Sequence, residues 1–191
     1  MLETDHFIRF ERVHSVSETA HGIVAEVETE RLRVDVVAPD VVRVTMSRGG
    51  AFDEAPTYAV CVDPLAKAVD FRVERDDERV KVVTDDLVVS LWLDPSRLDV
   101  HRTDGTAVVE TAADEQGRYW AYATLNDAFT VRRRCRQEDA IFGLGEKSGR
   151  HNRKGRDFTM WNTDVLSPTE SGEFTAGKAP DDPRGDRTSV E

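Results

Sequence analysis

Apolar residues recur at every second position along much of this chain, and that period restricts what it can fold into. Ile23, Ala25 and Val27 alternate with Glu26 and Glu28, and Leu32, Val34 and Val36 alternate with Arg31, Arg33 and Asp35. Val42, Val44 and Met46 continue the pattern against Arg43, Thr45 and Ser47. Successive side chains of an extended strand point to opposite faces, so each run predicts a strand with one dry and one wet side. Phe71 with Val73 and Val80 with Val82 give two shorter candidates around Asp76-Asp77-Glu78. The stretch from Leu87 to Leu93 is apolar on both faces, as expected of a central strand covered on each side.

Turn-forming residues separate these runs: Pro39-Asp40, Asp76-Asp77, Asp85-Asp86, Asp94-Pro95-Ser96 and Asp104-Gly105. Hardly any 3.6-residue pattern interrupts them. Short strands at this spacing predict an all-β chain, an antiparallel sandwich or barrel. The cluster Tyr119-Trp120-Ala121-Tyr122 is expected to fill core, because large aromatics supply buried area. After Ser167, Gly, Pro and acidic residues dominate, with only Phe174 and Val190 as sizeable apolar side chains. Such a segment buries too little surface to offset its ordering entropy, so residues 1–166 are expected to form the domain and 167–191 a loose polar segment.

At 191 residues the chain is long enough for one self-sufficient core. Its net charge of -11 argues against nucleic acid and anionic membranes as partners, since phosphate would be repelled. No apolar run is long enough to span a bilayer, and Met1–Val13 lacks the basic and apolar regions of a secretory signal; a cytoplasmic location is expected. Cys61 and Cys135 have no framework spacing and read as unpaired thiols, although Arg134 and Arg136 beside Cys135 would favour a thiolate. Lysine is scarce beside arginine and acid, which fits a GC-rich genome or a salt-adapted surface.

Several apparent motifs do not carry chemistry. Gly143-Leu144-Gly145-Glu146-Lys147-Ser148-Gly149 has its third glycine one residue late for a dinucleotide loop, and Glu146 stands where a P-loop needs glycine. The basic stretch Arg132-Arg133-Arg134 and Arg136, with Lys147, Arg150, His151, Arg153, Lys154 and Arg156, has no aromatic interleaving and reads as a solvated strand edge and a hairpin tip. Asp76-Asp77, Asp85-Asp86 and Asp181-Asp182 are adjacent pairs whose side chains diverge on a strand, so they suit turns rather than one scissile bond. His6, His14, His21, His101 and His151 show no ligand spacing, and neither a metal site nor a cofactor is expected.

One constellation remains. Ile141–Glu146 and Phe158–Trp161 read as two strands bracketing a basic, Gly-punctuated loop, with Gly143 and Gly145 marking a bulge or close backbone approach. Trp161 offers an apolar plate beside the polar groups of Asn162, Thr163 and Asp164, a combination that suits the faces and edges of a sugar. In residue identity, order and spacing, Phe142-Gly-Leu-Gly-Glu146-Lys147 followed by Met160-Trp161-Asn162-Thr163-Asp164 resembles the motif pair of glycoside hydrolase family 31, the α-glucosidase and α-xylosidase family. The strand-rich region before it agrees with that family's N-terminal β-sandwich, which is similar to galactose mutarotase.

The resemblance implies a domain that docks on a catalytic barrel and walls part of a pocket for an α-glycoside or oligosaccharide. Asp164 then corresponds to an acidic substrate contact, and Trp161 and Asn162 to its supporting shell. Catalysis in the family rests on two barrel aspartates whose carboxyls lie about 5–5.5 Å apart in a retaining mechanism. A barrel typically takes about 250 residues, and neither catalytic motif can be matched in this chain, so no catalytic residue is assigned to it. A free-standing carbohydrate-binding or mutarotase-like sandwich is the alternative role.

Overall fold

The structure, a computed structural model, describes residues 7–52, 60, 63–123, 129–144, 150–159 and 187–190. It contains two compact units: Phe7–Tyr122 with Phe129–Arg134, and a second whose described residues include 135–144, 150–159 and 187–190. The strands are β1 (Phe7–Arg9), β2 (Val13–Thr19), β3 (Gly22–Val27), β4 (Glu30–Ala38), β5 (Val41–Ser47), β6 (Arg72–Arg75), β7 (Arg79–Val83) and β8 (Leu87–Leu93). They continue with β9 (Ser96–Arg102), β10 (Ala107–Val109), β11 (Trp120–Ala123), β12 (Phe129–Val131), β13 (Arg156–Thr159) and β14 (Arg187–Val190). Among the described residues the only helical element is a 3₁₀ turn at Arg48–Gly50.

In the first unit an antiparallel sheet ordered β2-β3-β4-β5 faces another ordered β10-β9-β8-β7-β6. A three-stranded sheet, β1-β11-β12, completes that unit. The alternating runs supply the shared core: Ile23, Ala25, Leu32, Val34 and Val36 from the first sheet, and Val80, Val82, Val89, Leu91 and Leu98 from the second. All ten are nearly inaccessible to solvent. At about 1.5–3 kcal/mol for each fully buried aliphatic side chain, this burial is the main driving force for the two sheets to meet. The expected sandwich is therefore present, and Leu87–Leu93 is indeed the central strand of its sheet.

Polar ties fix the register of one sheet on the other. The Thr84 hydroxyl, in the turn after β7, donates to the Pro39 carbonyl in the turn after β4. Arg75 on β6 donates to the Val16 carbonyl on β2 at 3.0 Å. Ser96, fully buried at the start of β9, donates its hydroxyl to the Phe10 carbonyl at 2.6 Å and accepts the Trp120 indole N–H at 2.9 Å. Its amide donates to the Glu11 carbonyl at 2.6 Å, so one small residue joins three chain segments. Trp120 is buried edge-on to Phe10, as expected of core-filling aromatics.

The outer faces are also organised. The Asp35 carboxylate, on the outer face of β4, is almost wholly buried between Arg33 (3.1 Å) and Arg43 (2.8 Å), and Phe52 lies under the guanidinium groups of Arg31 and Arg33. On the other sheet Arg79, Trp92 and Arg97 stand in one cross-strand row, with both guanidinium carbons within 4.7 Å of the indole ring. Its N–H donates to Asp99 at 2.9 Å.

Gly22 shows a constraint that alternation does not reveal. A β-carbon there would lie 2.0 Å from the Val34 carbonyl oxygen, because β3 and β4 meet backbone to backbone just after the two-residue turn Ala20–His21. We expect Gly22→Ala to cost about 2–3 kcal/mol in urea unfolding, since β4 must shift to relieve the clash. Gly105→Ala, where the only obstacle is a positive φ in open space, is expected to cost about 1 kcal/mol.

Candidate functional site

The strand that leads into Met160-Trp161-Asn162-Thr163-Asp164 is β13, in the second unit. It pairs antiparallel with β14, Phe158 opposite Thr188, so the described part of the 167–191 segment is a strand. Phe158 is buried beneath the guanidinium of Arg153, itself buried, at 5.8 Å. Cation–π contact and burial together hold the base of the motif strand in place. Trp161, Asn162 and Asp164 lie outside the described residues, as do Gly145, Glu146 and Lys147.

The first half of the motif differs from the expected strand. Ile141–Leu144 form no ladder, because Gly143 (φ 94°) and Leu144 (φ 65°) both take the left-handed conformation, which ends extended structure. Among the described residues nothing lies within 4 Å of a β-carbon built on Gly143, and its positive φ makes conformational freedom its role there. Side chains close the loop instead. Asn152 Oδ1 accepts the amides of Ile141 and Lys154, both at 3.1 Å, and the Arg153 amide donates to the Ile141 carbonyl at 2.7 Å.

Two members of the basic stretch make structural bonds, whereas Arg134, Arg150 and His151 are exposed. Lys154 Nζ donates to the carbonyls of Arg136 and Gln137, tying the 136–139 turn to the loop. Arg133 Nη1 donates to the Thr111 hydroxyl at 3.1 Å, and burial lowers its pKa while the Asp99 carboxylate opposes that shift. Cys135 is half-buried with a free thiol. Cys61 lies outside the described residues.

The acidic pairs in the first unit behave as turn residues. Asp76 Oδ1 accepts the amides of Glu78 and Arg79, and these bonds hold its carboxyl below the usual range. Asp104 is lowered in the same way by the Thr106 amide. Among the described residues no three His, Cys, Asp or Glu side chains converge as metal ligands. Nor is any described helix long and apolar enough to cross a membrane.

The cavities of the first unit are modest. One of about 210 Å³ lies between Glu11, the Asp94–Pro95 turn and Arg118. Beside it the chain makes an excursion: the 129–134 segment pairs with residues 120–122 and then with 110–112, so 113–119 are looped out between the two stretches. The loop carries its own polar centre. Asp114 accepts from the amides of Gln116 and Arg118 and from the Arg118 guanidinium at 2.6 Å, with both side chains at most 4% exposed. No spacing rule singled out this pair or Ser96; a lone Asp four residues before an Arg, with Gly117 between, is a weak signal.

Comparison with known proteins decides what this architecture is. Residues 31–180 match the model of the glycosyl hydrolase 31 N-terminal galactose mutarotase-like domain. The chain belongs to that family. It is 27% identical over 163 residues to alpha-glucosidase 2 of Bacillus thermoamyloliquefaciens, covering 85% of this chain and 20% of the relative. The sandwich superposes with a TM-score of 0.70 and 21% identity on a dextranase of Flavobacterium johnsoniae crystallised with isomaltotriose, covering 83% of this chain and 19% of that one. A cycloalternan-forming enzyme of Listeria monocytogenes, in complex with a pentasaccharide substrate, gives 0.66 and 19% identity, over 82% of this chain and 15% of that one. The family 31 N-terminal domain thus spans about a fifth or less of these relatives, and the structural likenesses, at about one-fifth identity, show its fold.

Asp114 gives this domain a defined acid response. Burial opposes its ionisation, but hydrogen bonds from the Arg118 amide and guanidinium, the charge of that cation and the Gln116 amide outweigh it, so the folded pKa is depressed. The unfolded chain therefore binds the proton first, and the stabilisation is present above the unfolded value near 3.9 and lost as pH falls through the folded one. In urea unfolding between about pH 5 and pH 2, the protein is expected to lose stability more steeply than Asp114→Asn, which has no proton to take up at this site. Parallel curves would show that the pair does not set the acid limb.

Proposed function

We propose that this chain is the non-catalytic N-terminal domain of an α-glycoside-cleaving enzyme. It packs on the enzyme's catalytic barrel and contributes the 161–164 segment to the rim of the sugar site. The observation that carries this reading is the family match over residues 31–180, together with an alpha-glucosidase relative of which the chain spans 20%. The dextranase with isomaltotriose and the cycloalternan-forming enzyme with its pentasaccharide support an α-glucosidic oligosaccharide as the ligand of the whole protein. A cytoplasmic location belongs to the same reading, in keeping with two cysteines that lack framework spacing.

The physical division of labour follows from the chemistry. Retaining hydrolysis needs two carboxyl groups on opposite sides of one glycosidic bond, held by a rigid scaffold. The second unit instead offers an anchored strand, β13, from which an apolar plate and polar groups, Trp161, Asn162 and Asp164, can meet a sugar's faces and hydroxyls. In this role Asp164 accepts hydrogen bonds from substrate hydroxyls, and Trp161 and Asn162 orient it. The indole of Trp92 is not an alternative platform, because Arg79 and Arg97 already lie over its ring.

Two outcomes test the proposal. The isolated chain is expected to release no nitrophenol from nitrophenyl α-glucoside above the buffer rate, and robust turnover would refute the non-catalytic assignment. In the complete enzyme, Asp164→Ala is expected to lower kcat/KM by about 10- to 100-fold, the loss of one charged hydrogen bond of about 1.5–3 kcal/mol, with the unfolding midpoint unchanged. Unchanged kinetics across several α-glucosides would remove Asp164 from the sugar site.

A further inference from the structure

The two edges of the four-stranded sheet are built differently. β2 is polar along its length, with His14, Ser15, Ser17 and Glu18, and its Val16 carbonyl is capped by the Arg75 guanidinium, which also pairs with Glu18 at 3.6 Å. These are the devices that keep a sheet edge from pairing with another chain. β5, at the other edge, has none of them. Its seven residues, Val-Val-Arg-Val-Thr-Met-Ser, contain no proline, lysine or acid. Its one charge, Arg43, is folded back onto Asp35 by two hydrogen bonds. The bulge between β4 and β5 sits at the turn end, and the ladder from Val42 to Ser47 is regular.

Among the described residues nothing pairs with the outward edge of β5 either. Its backbone makes ladder bonds to β4 alone among the described residues. The chain leaving β5 crosses the outer face of the sheet rather than following the edge: the Gly50 carbonyl accepts from Arg31, and Phe52 lies under Arg31 and Arg33. On the inner face, Val44 stands opposite the fully buried Val34 yet is 37% exposed, and Val42 and Met46 beside it are only partly buried. The core is thus open to solvent along this strand.

We infer that β5 is a strand-pairing surface for a second copy of this chain, joining two four-stranded sheets into one continuous sheet across a two-fold axis at Val44. An antiparallel register centred there sets Val42 opposite Met46 and Arg43 opposite Thr45. No like charges oppose one another, and the half-exposed aliphatic row of each copy covers that of the other. One strand pair is smaller than a standard interface, so association is expected at high micromolar concentration. Each copy carries a net charge of -11, so the pairing strengthens as salt screens the repulsion. This association is independent of the role proposed for the domain.

Light scattering on the purified chain tests it, with the mass expected to rise from 21.5 kDa toward twice that value with concentration and with salt. Val44→Lys, which sets a charge against itself on the axis, is expected to weaken the dimer at least tenfold. Circular dichroism checks that this variant folds. Should it not, cysteine cross-linking decides. In a Cys61→Ser, Cys135→Ser background, Val44→Cys is expected to form an intermolecular disulfide readily, because directly opposed residues lie about 4.5–5.5 Å apart at Cα, within disulfide range. Val41→Cys, opposite Ser47, is expected to cross-link several-fold less. A chain that stays monomeric at about 1 mM would overturn the inference, leaving the edge bare or reserved for another part of a longer polypeptide. A dimer that ignores Val44→Lys, or that fails to cross-link at position 44, would overturn it too, placing the contact elsewhere.

Discussion

Two amphipathic sheets, each unable to bury its apolar face alone, hold the first unit together by covering one another. Leu32, Val34 and Val36 on β4 and Val89 and Leu91 on β8 form the centre of that arrangement. Hydrophobic burial has no direction, so it brings the sheets together without setting how they align. The alignment comes from a few polar contacts whose geometry is directional: Thr84 to Pro39, Arg75 to Val16 at the surface, and the buried Ser96 to Phe10, Glu11 and Trp120. A buried donor or acceptor left without a partner costs about 1–3 kcal/mol, so a slipped arrangement that separated these groups would be penalised at several points together.

How much of this was legible in the sequence depended on each strand's surroundings. β3, β4 and β7 have one dry and one wet face, and their alternation predicts them; β5 alternates in the same way, although its inner row stays partly exposed. β2 is an edge strand with mostly exposed side chains, so Val13-His14-Ser15-Val16-Ser17-Glu18-Thr19 carries almost no periodic signal. β9 alternates, but its first core position is Ser96, which reads as a turn residue beside Asp94-Pro95 and becomes a core residue only because Phe10 and Trp120 come to it from distant parts of the chain. Long-range partners leave no local trace.

The motif region divides along the same line. That Phe158 belongs to a strand is visible from its neighbours, whereas its ladder partner, residues 187–190, sits in a segment whose composition gives no such indication. Ile141–Leu144 looked extended because Ile, Phe and Leu are apolar, but the backbone turns left-handed at Gly143 and Leu144. The meaning of Trp161, Asn162 and Asp164 came from resemblance to a family. Their immediate chemistry alone, an aromatic beside amide and carboxylate groups, is shared by many unrelated surfaces.

The excursion at residues 113–119 has a consequence for how this domain can vary. The pairing of the 129–134 segment passes from Trp120 opposite Val131 to the Ala112 amide on the Arg132 carbonyl, so the ladder closes beneath the loop as though the loop were absent. The loop's own polar centre, Asp114 with Arg118, is satisfied largely from within. Short of Tyr119, which packs on the core beneath Arg97, length and sequence there are uncoupled from strand register, which makes this a position where the domain can accept new segments, or a grafted binding loop.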